Sequence, residues 1–216
     1  MPRMIHETGI AVLARAPVPG KAKTRLIPAL GAEGAAELQR RLIRHALTTA
    51  RAAAIGPVTL WLDGGMEASC LSADVTVRPQ PTGDLGARML AAIAARPGTL
   101  VIGTDCPALT AAHLHQAAHS LSDHDAVLLP AEDGGYVLIG MRTPAPEPFA
   151  DIDWGTDRVM AQTRARLAAL GWRWEEPATL WDVDRPADLD RLAQAGFPSD
   201  VFISGRRSPT RFYAFG

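Results

Sequence analysis

Short apolar runs alternate with helical repeats along this chain. Ile10 to Ala14 is an apolar run that ends at prolines and a glycine, which predicts a buried first strand opening into a loop. From Glu33 to Ala54, leucines and alanines recur at the spacing of one helix face, so we predict a long amphipathic helix there. Alternating apolar positions at 58–62 and 75–77 predict two further strands.

The second half of the chain continues this alternation. The predicted helices are Leu85 to Ala95, a segment capped by Thr110, Val159 to Leu170 and a short one that begins at Pro186. The predicted strands are Thr99 to Gly103, Ala126 to Pro130 and Tyr136 to Met141, the last two flanking a tight acidic turn. Together these elements predict a three-layer α/β fold, with a mainly parallel sheet and helices on both faces.

The length and composition suit a single α/β domain. The chain has 216 residues, of which 47% are hydrophobic, enough to bury a sizeable core. We place this domain at residues 1–197. Residues 198–216 break the pattern, mixing arginines with aromatic residues, and we expect them to form a frayed or self-packed C-terminal tail, with a binding arm as the alternative.

The charge balance argues against nucleic-acid and membrane partners. The chain carries 22 basic and 23 acidic residues, so no overall field attracts it to a polyanion. It also lacks a signal-peptide pattern and an apolar stretch long enough for a membrane span, and we expect a cytoplasmic protein. The two cysteines do not have zinc-site spacing, and His115 and His119 lack a third ligand nearby in sequence.

The loop after the first strand is strongly basic. Its two lysines are the only lysines in the chain, and a glycine precedes the first of them. Ammonium and guanidinium groups at the end of a strand favour phosphate binding, although a solvated basic loop is the alternative interpretation. The loop is not a Walker motif, because alanine follows its Gly-Lys pair. The candidate nucleotide-binding residues in the loop are Arg15, Gly20, Lys21, Lys23, Thr24 and Arg25.

A second loop offers weaker candidates for nucleotide binding. Gly83 allows close approach of the backbone to a ligand, and Gln80 or Asp84 has the polar groups to contact a base edge. A turn followed by a helix start explains the same residues, because Asp84 is also a good N-cap.

Several aspartates are candidates for chemistry. Asp105 follows a predicted strand, and Asp182 and Asp184 precede the last helix, so we consider them ligands for Mg²⁺ or Mn²⁺. Their alternative roles are helix capping and terminal charge. Asp133 lies in the acidic turn and is a candidate for orienting or deprotonating an acceptor hydroxyl, although a hairpin turn needs the adjacent glycines in any case.

Six short motifs between Ile10 and Leu192 carry a resemblance to a known family. They are PGKAKTRL at 19–26, GDLG at 83–86, GTDCP at 103–107, EDGGY at 132–136, WGT at 154–156 and DVDRPADL at 182–189. They resemble small bacterial glycosyltransferase-A-like proteins, some of which are linked to arsenosugar synthesis. The first loop also resembles phospholactate guanylyltransferase, and the last motif is similar to that of molybdenum-cofactor guanylyltransferases.

The resemblance implies a nucleotide-diphospho-sugar transferase (GT-A) fold and a metal-dependent reaction. It implies that Lys21, Lys23 and Arg25 bind the nucleotide phosphates and that Asp105 binds the metal. It also implies a second metal contact from Asp182 or Asp184. We expect glycosyl transfer from a nucleotide-sugar to a small-molecule acceptor, with Lys23, Arg25, Asp105 and Asp133 as the catalytic group. Nucleotidyl transfer with pyrophosphate release and a non-catalytic nucleotide-binding module are the alternatives, and a homodimer is one compatible assembly.

Overall fold

The computed structural model describes residues 8–64 and 75–197, in which strands and helices alternate. The strands are β1 Ile10–Arg15, β2 Val58–Asp63, β3 Thr76–Pro79, β4 Leu100–Ile102, β5 Ala126–Pro130, β6 Tyr136–Met141 and β7 Trp174–Glu175. The α-helices are α1 Ile27–Ala53, α2 Leu85–Ala95, α3 Ala111–Asp123, α4 Val159–Ala169 and α5 Asp188–Gln194. Short 3₁₀ helices cover Thr24–Leu26 and Glu147–Phe149.

The strands form one seven-stranded sheet in the order β3-β2-β1-β4-β6-β5-β7. Strand β6 runs antiparallel to both of its neighbours, and the other pairings are parallel. The prediction of a mainly parallel α/β sheet is therefore confirmed. Strands β5 and β6 flank the acidic turn as an antiparallel hairpin, as their sequence pattern indicates.

Alternate residues of the central strands pack into two separate apolar cores. Ile10 and Val12 of β1 share one core with residues of α1 and α3, whereas Ala11 and Leu13 share the other with residues of α2 and α4. Side chains in a strand alternate between the faces of a sheet, and an apolar run therefore buries both sets. The helices cover both faces of the sheet, and the loops at its carboxyl edge are free to carry polar groups.

The first helix is longer than its sequence pattern indicates. We predicted Glu33 to Ala54, but α1 begins at Ile27 and contains a kink at Gly31, where φ is 72°. The kink interrupts the apolar period, so a reading based on regular spacing misses the first turn. Strand β7 was also missed, because two residues are too few to show a period. The predicted tail at 198–216 lies outside the described residues, and the domain boundary remains a prediction.

We predict that the hairpin turn between β5 and β6 requires glycine at position 134. At Gly134, φ is 92°, and a Cβ placed there would lie 2.2 Å from the Asp157 carbonyl oxygen. Gly155 has a similar φ of 80° but open space around its Cβ position, so it isolates the steric effect. We expect Gly134→Ala to lower the free energy of unfolding by about 2 kcal/mol more than Gly155→Ala does, as measured by urea denaturation. Equal losses would contradict this prediction.

Candidate active site

A cleft of about 530 Å³ opens at the carboxyl ends of β1 and β4. Ligands of open α/β sheets bind at this edge. The polar wall comes from three segments that are distant in sequence: the basic loop, residues 103–106, and Asp182 with Asp184. Apolar side chains of Leu13, Leu85 and Met89 also line the cleft. The cleft therefore joins a charged region to an apolar one.

The basic loop folds so that its second lysine points inward. Gly20 and Lys23 both have positive φ values, 79° and 47°, which turn the chain sharply on either side of Ala22. Ala22 and Leu26 are fully buried and anchor the loop to the domain. The side chain of Lys23 is consequently only 5% exposed, whereas Lys21 is exposed at the surface.

Lys23 connects all three polar segments. Its Nζ lies 2.9 Å from Asp105 Oδ1 and also donates a hydrogen bond to the carbonyl oxygen of Val183. A nearly buried ammonium group needs such partners, because burial without them carries a large desolvation cost. The structure thus brings the start, middle and end of the described chain together around one cation.

The 182–184 segment is held by side-chain and backbone contacts. Arg25 forms an ion pair with Asp184, and the Val183 amide donates to the Asp105 carbonyl oxygen at 2.8 Å. The carboxylate of Asp188 accepts a hydrogen bond from the Asp184 amide at 2.9 Å. It thereby gives a partner to a main-chain N–H group just before α5. The carboxylates of Asp182 and Asp184 are therefore held beside Asp105 in the same cleft.

Asp182 lies in an unfavourable environment for a negative charge. Burial, together with repulsion from Asp133, Asp105 and Asp184, raises the pKa of Asp182 to about 6. The ammonium group of Lys23 acts in the opposite direction and lowers the pKa of Asp182. The positive charge of Lys23 therefore does not fully offset the repulsion between Asp182 and the neighbouring carboxylates.

Two cleft residues, Gln39 and Thr104, are absent from the sequence-based set of candidates. Gln39 is 3% exposed, and its Nε2 donates to the Arg15 carbonyl oxygen at 3.1 Å and to Thr104 Oγ1 at 3.3 Å. The Thr104 hydroxyl donates to Asp105 Oδ1 at 3.0 Å. Gln39 falls within the apolar stripe of α1, between Leu38 and Leu42, and a polar residue at such a position was the available signal.

The remaining residues of the basic loop differ in their position. Arg15 and Thr24 line the cleft, while Gly20 and Lys21 do not contribute to its lining. Within residues 8–64 and 75–197, neither Arg15 nor Lys21 forms an ion pair. These two cations remain available for an anionic ligand.

The second loop has structural contacts that account for its polar residues. Gln80 Nε2 donates to the carbonyl oxygens of Ala14 and Trp61 at 2.9 Å each, and its Oε1 accepts from Arg88. Asp84 caps α2 by accepting from the Ala87 amide at 2.8 Å. Gln80, Gly83 and Asp84 do not line the cleft, so the geometry supports the capping and turn interpretation, and their contact with a nucleotide stays a prediction.

Asp133 and the histidines lie outside the cleft lining. Asp133 is exposed in the hairpin turn, where one carboxylate oxygen accepts from the Gly135 amide at 2.9 Å. Its charge still raises the pKa of Asp182, so the turn lies within electrostatic range of the cleft. His115 and His119 are exposed on α3, and the described residues contain no cluster of three or more metal-ligating side chains.

Residues 44–156 match the family described as uncharacterized protein conserved in bacteria (DUF2064). The matched segment covers more than half of the chain and includes Asp105 and the hairpin turn. This chain belongs to the DUF2064 family. No curated protein matches it significantly.

Solved structures similar to this DUF2064 protein show its fold class. A provisionally named nucleotide-diphospho-sugar transferase from Desulfovibrio desulfuricans G20 is 28% identical, with a TM-score of 0.80 over 90% of this chain and 89% of that chain. A nucleotidyl transferase from Methanothermobacter thermautotroptrophicus is 16% identical, with a TM-score of 0.56 over 88% and 97%. The Mycobacterium tuberculosis protein Rv0371C, solved in complex with manganese, is 19% identical, with a TM-score of 0.54 over 87% and 98%.

The comparisons confirm the fold that the resemblance implied. The DUF2064 protein has the nucleotide-diphospho-sugar transferase fold, and it is a transferase. Among the helices at residues 8–64 and 75–197, none has both the length and the apolar character that crossing a membrane requires.

His45 contacts the loop that carries Asp105. Its environment leads us to expect that the stability of the protein depends on pH. Its Nε2 lies 3.1 Å from the Pro107 carbonyl oxygen, and partial burial lowers the pKa of His45 below its ordinary 6.5. The fold therefore favours the neutral ring, and this contribution is lost as pH falls through the lowered pKa. We expect wild type to lose more stability than His45→Gln between about pH 8 and about pH 5, measured by urea denaturation. Parallel pH profiles for the two proteins would show that His45 does not contribute.

Proposed function

We propose that this DUF2064 protein transfers a glycosyl group from a nucleotide-sugar to a small-molecule acceptor, with a divalent metal bound by Asp105. The observation that carries the proposal is the charge balance of the cleft. Lys23 and Arg25 are paired with Asp105 and Asp184, so two of the four basic side chains of the loop are already compensated. The similar solved structures, which include a nucleotidyl transferase and a provisionally named nucleotide-diphospho-sugar transferase, support a transferase that uses a nucleotide.

The charge balance distinguishes between donors. A sugar nucleotide carries less negative charge on its phosphates than a nucleoside triphosphate, and one divalent cation neutralises most of it. Only Arg15 and Lys21 of the basic loop remain without an ion-pair partner among the described residues. Two available cations match the smaller charge of a diphosphate better than that of a triphosphate. Because Lys23 is already paired with Asp105, the number of basic residues in the loop overstates the positive charge that is available to a triphosphate.

The carboxylates fit a divalent metal. Mg²⁺ and Mn²⁺ bind one or two protein carboxylates and complete their coordination with water and substrate phosphate, so a cluster of three ligands is not needed. Burial and neighbouring carboxylates raise the pKa of Asp182 to about 6, and a cation beside Asp105 and Asp182 would relieve that repulsion. Asp184 is the weaker candidate, because it is paired with Arg25. The metal would supply electrostatic stabilisation of the departing diphosphate.

The protein's own residues complete the proposed mechanism. Arg15, which lines the cleft, holds the phosphates, and Lys21 adds positive charge from the exposed part of the same loop, while Lys23 and Arg25 keep the carboxylates in place. Asp133 accepts a hydrogen bond from Gly135 through one carboxylate oxygen, and its other oxygen orients the acceptor hydroxyl and receives the proton. The apolar part of the cleft, with Leu85 and Met89, excludes water from one side of the bound donor. The arsenosugar-linked type of acceptor remains part of this proposal.

Nucleotidyl transfer is the second candidate. It is favoured by Arg15, whose side chain lines the cleft at the end of β1 without an ion-pair partner and would bind a pyrophosphate leaving group there. The two reactions release different products: glycosyl transfer gives a nucleoside diphosphate or monophosphate and consumes no triphosphate, whereas nucleotidyl transfer releases pyrophosphate. A binding module without catalysis would release neither.

The product released from the donor tests the proposal directly. We expect at least one sugar nucleotide to raise the melting temperature in the presence of Mn²⁺, and to be turned over with release of the nucleotide. We expect Asp105→Asn to lower kcat/KM about 100-fold, because charge stabilisation of the leaving group is lost. Asp123→Asn, an exposed site at the end of α3, is the matched control and should leave turnover unchanged. Pyrophosphate release from a nucleoside triphosphate, without turnover of any sugar nucleotide, would replace glycosyl by nucleotidyl transfer.

Asp182→Asn tests the carboxylate repulsion separately. Because the fold raises the pKa of Asp182, its charged form opposes folding near neutral pH. We expect the variant, in EDTA near pH 7.5, to gain about 1 kcal/mol of unfolding free energy, a figure reduced for partial solvent screening. Added Mn²⁺ should stabilise wild type more than the variant, as measured by urea denaturation. A variant less stable than wild type in EDTA would contradict the repulsion.

A further inference from the structure

We propose that Gln39 and Thr104 are positioning residues that orient the carboxylate of Asp105 for a divalent metal. This inference rests on the proposed function, in which Asp105 binds the metal. Gln39 lies on α1, and Thr104 directly precedes Asp105 in the loop after β4. Both are nearly buried, at 3% and 4% exposed, and they connect α1 to the loop after β4.

The donors and acceptors in this chain of hydrogen bonds can be assigned starting from Gln39. The carbonyl oxygen of Arg15 can only accept, so the nitrogen of the Gln39 side-chain amide must face it, at 3.1 Å. The same nitrogen lies 3.3 Å from Thr104 Oγ1 and donates its second hydrogen there. Both hydrogens of the amide group are therefore used, and the orientation of the amide is determined by the main chain of β1.

This donation determines how Thr104 uses its hydroxyl. Because Thr104 Oγ1 accepts from Gln39, its own hydrogen is available to donate to Asp105 Oδ1, 3.0 Å away. A chain of two hydrogen bonds thus runs from the buried amide to the carboxylate. Networks of this kind hold metal-binding side chains in one orientation in many proteins.

The two donors to the Asp105 side chain meet at the same oxygen. Lys23 Nζ lies 2.9 Å from Asp105 Oδ1, which also accepts from Thr104. The main-chain carbonyl of Asp105 accepts from the Val183 amide, which fixes the backbone at that point. In the described part of the chain, Asp105 Oδ2 has no hydrogen-bond donor, and it is the oxygen that we assign to the metal.

Thr104 can be tested by paired substitutions. Thr104→Val keeps the shape of the side chain but removes the hydroxyl, while Thr104→Ser keeps the hydroxyl. Thr99 is a matched control, because it is equally buried and lies at the opposite end of β4 with its hydroxyl bonded to the Arg96 carbonyl. The readout is the dissociation constant of Mn²⁺ alone, measured by electron paramagnetic resonance on the intact chain, together with the melting temperature in EDTA.

We expect Thr104→Val to weaken Mn²⁺ binding about 10-fold or more, and Thr104→Ser to restore it to within a few fold of wild type. Thr99→Val should leave Mn²⁺ affinity unchanged even if it lowers the melting temperature. Gln39→Met should weaken Mn²⁺ binding as Thr104→Val does, and the double variant should be no weaker than either single variant, because both act through one chain of hydrogen bonds.

Asp105→Asn separates the two levels of the proposal. If Asp105→Asn abolishes Mn²⁺ binding but Thr104→Val leaves it at the wild-type level, the positioning role is wrong and the metal role of Asp105 stands. If Asp105→Asn binds Mn²⁺ as wild type does, or wild type binds none, both the positioning role and the proposed metal site are overturned. Additive losses in the Gln39→Met and Thr104→Val pair would also overturn the common pathway.

Discussion

The cleft depends on charge compensation around the ammonium group of Lys23. The Lys23 side chain is 5% exposed, and Asp105 and the Val183 carbonyl oxygen supply the partners that its ammonium group needs there. Asp182 would be harder to ionise without the same positive charge, which lowers its pKa against the effects of burial and repulsion. A single buried cation therefore permits several carboxylates to share one small volume.

The protein secures this arrangement with apolar contacts next to the charges. Leu26 follows Arg25, and Val183 lies between Asp182 and Asp184; both apolar residues are fully buried in a cluster with Leu42 of α1 and Leu192 of α5. Burial of such side chains contributes about 1.5–3 kcal/mol each, which is more than an exposed ion pair supplies. The apolar cluster thus holds the basic loop against the acidic segment, and the charged groups need only adjust their side chains.

The hydrogen bonds of Gln39 link α1 to the end of β1 and to the loop that carries Asp105. A glutamine on an apolar stripe costs stability unless its amide is satisfied, and Gln39 meets this condition with the end of β1 and with Thr104. The neighbouring sheet is buried on both faces and does not yield easily to strain. The orientation of Asp105 is consequently tied to the most rigid part of the fold, while Arg15 and Lys21 stay available at its edge.

The sequence by itself determined the types of the longer elements, the mainly parallel α/β sheet and the chemical identity of the charged loops. These properties follow from local periodicity and from residues close together in the chain. It did not reveal the kink at Gly31, the antiparallel placement of β6 beside β4, or the structural use of Gln80. Only the tertiary structure decided that Lys23 meets the carbonyl of Val183, 160 residues away, and that Gln39 reaches Asp105 through Thr104. Such contacts depend on strand order and on the packing of distant segments, and the period of any one segment contains no information about either.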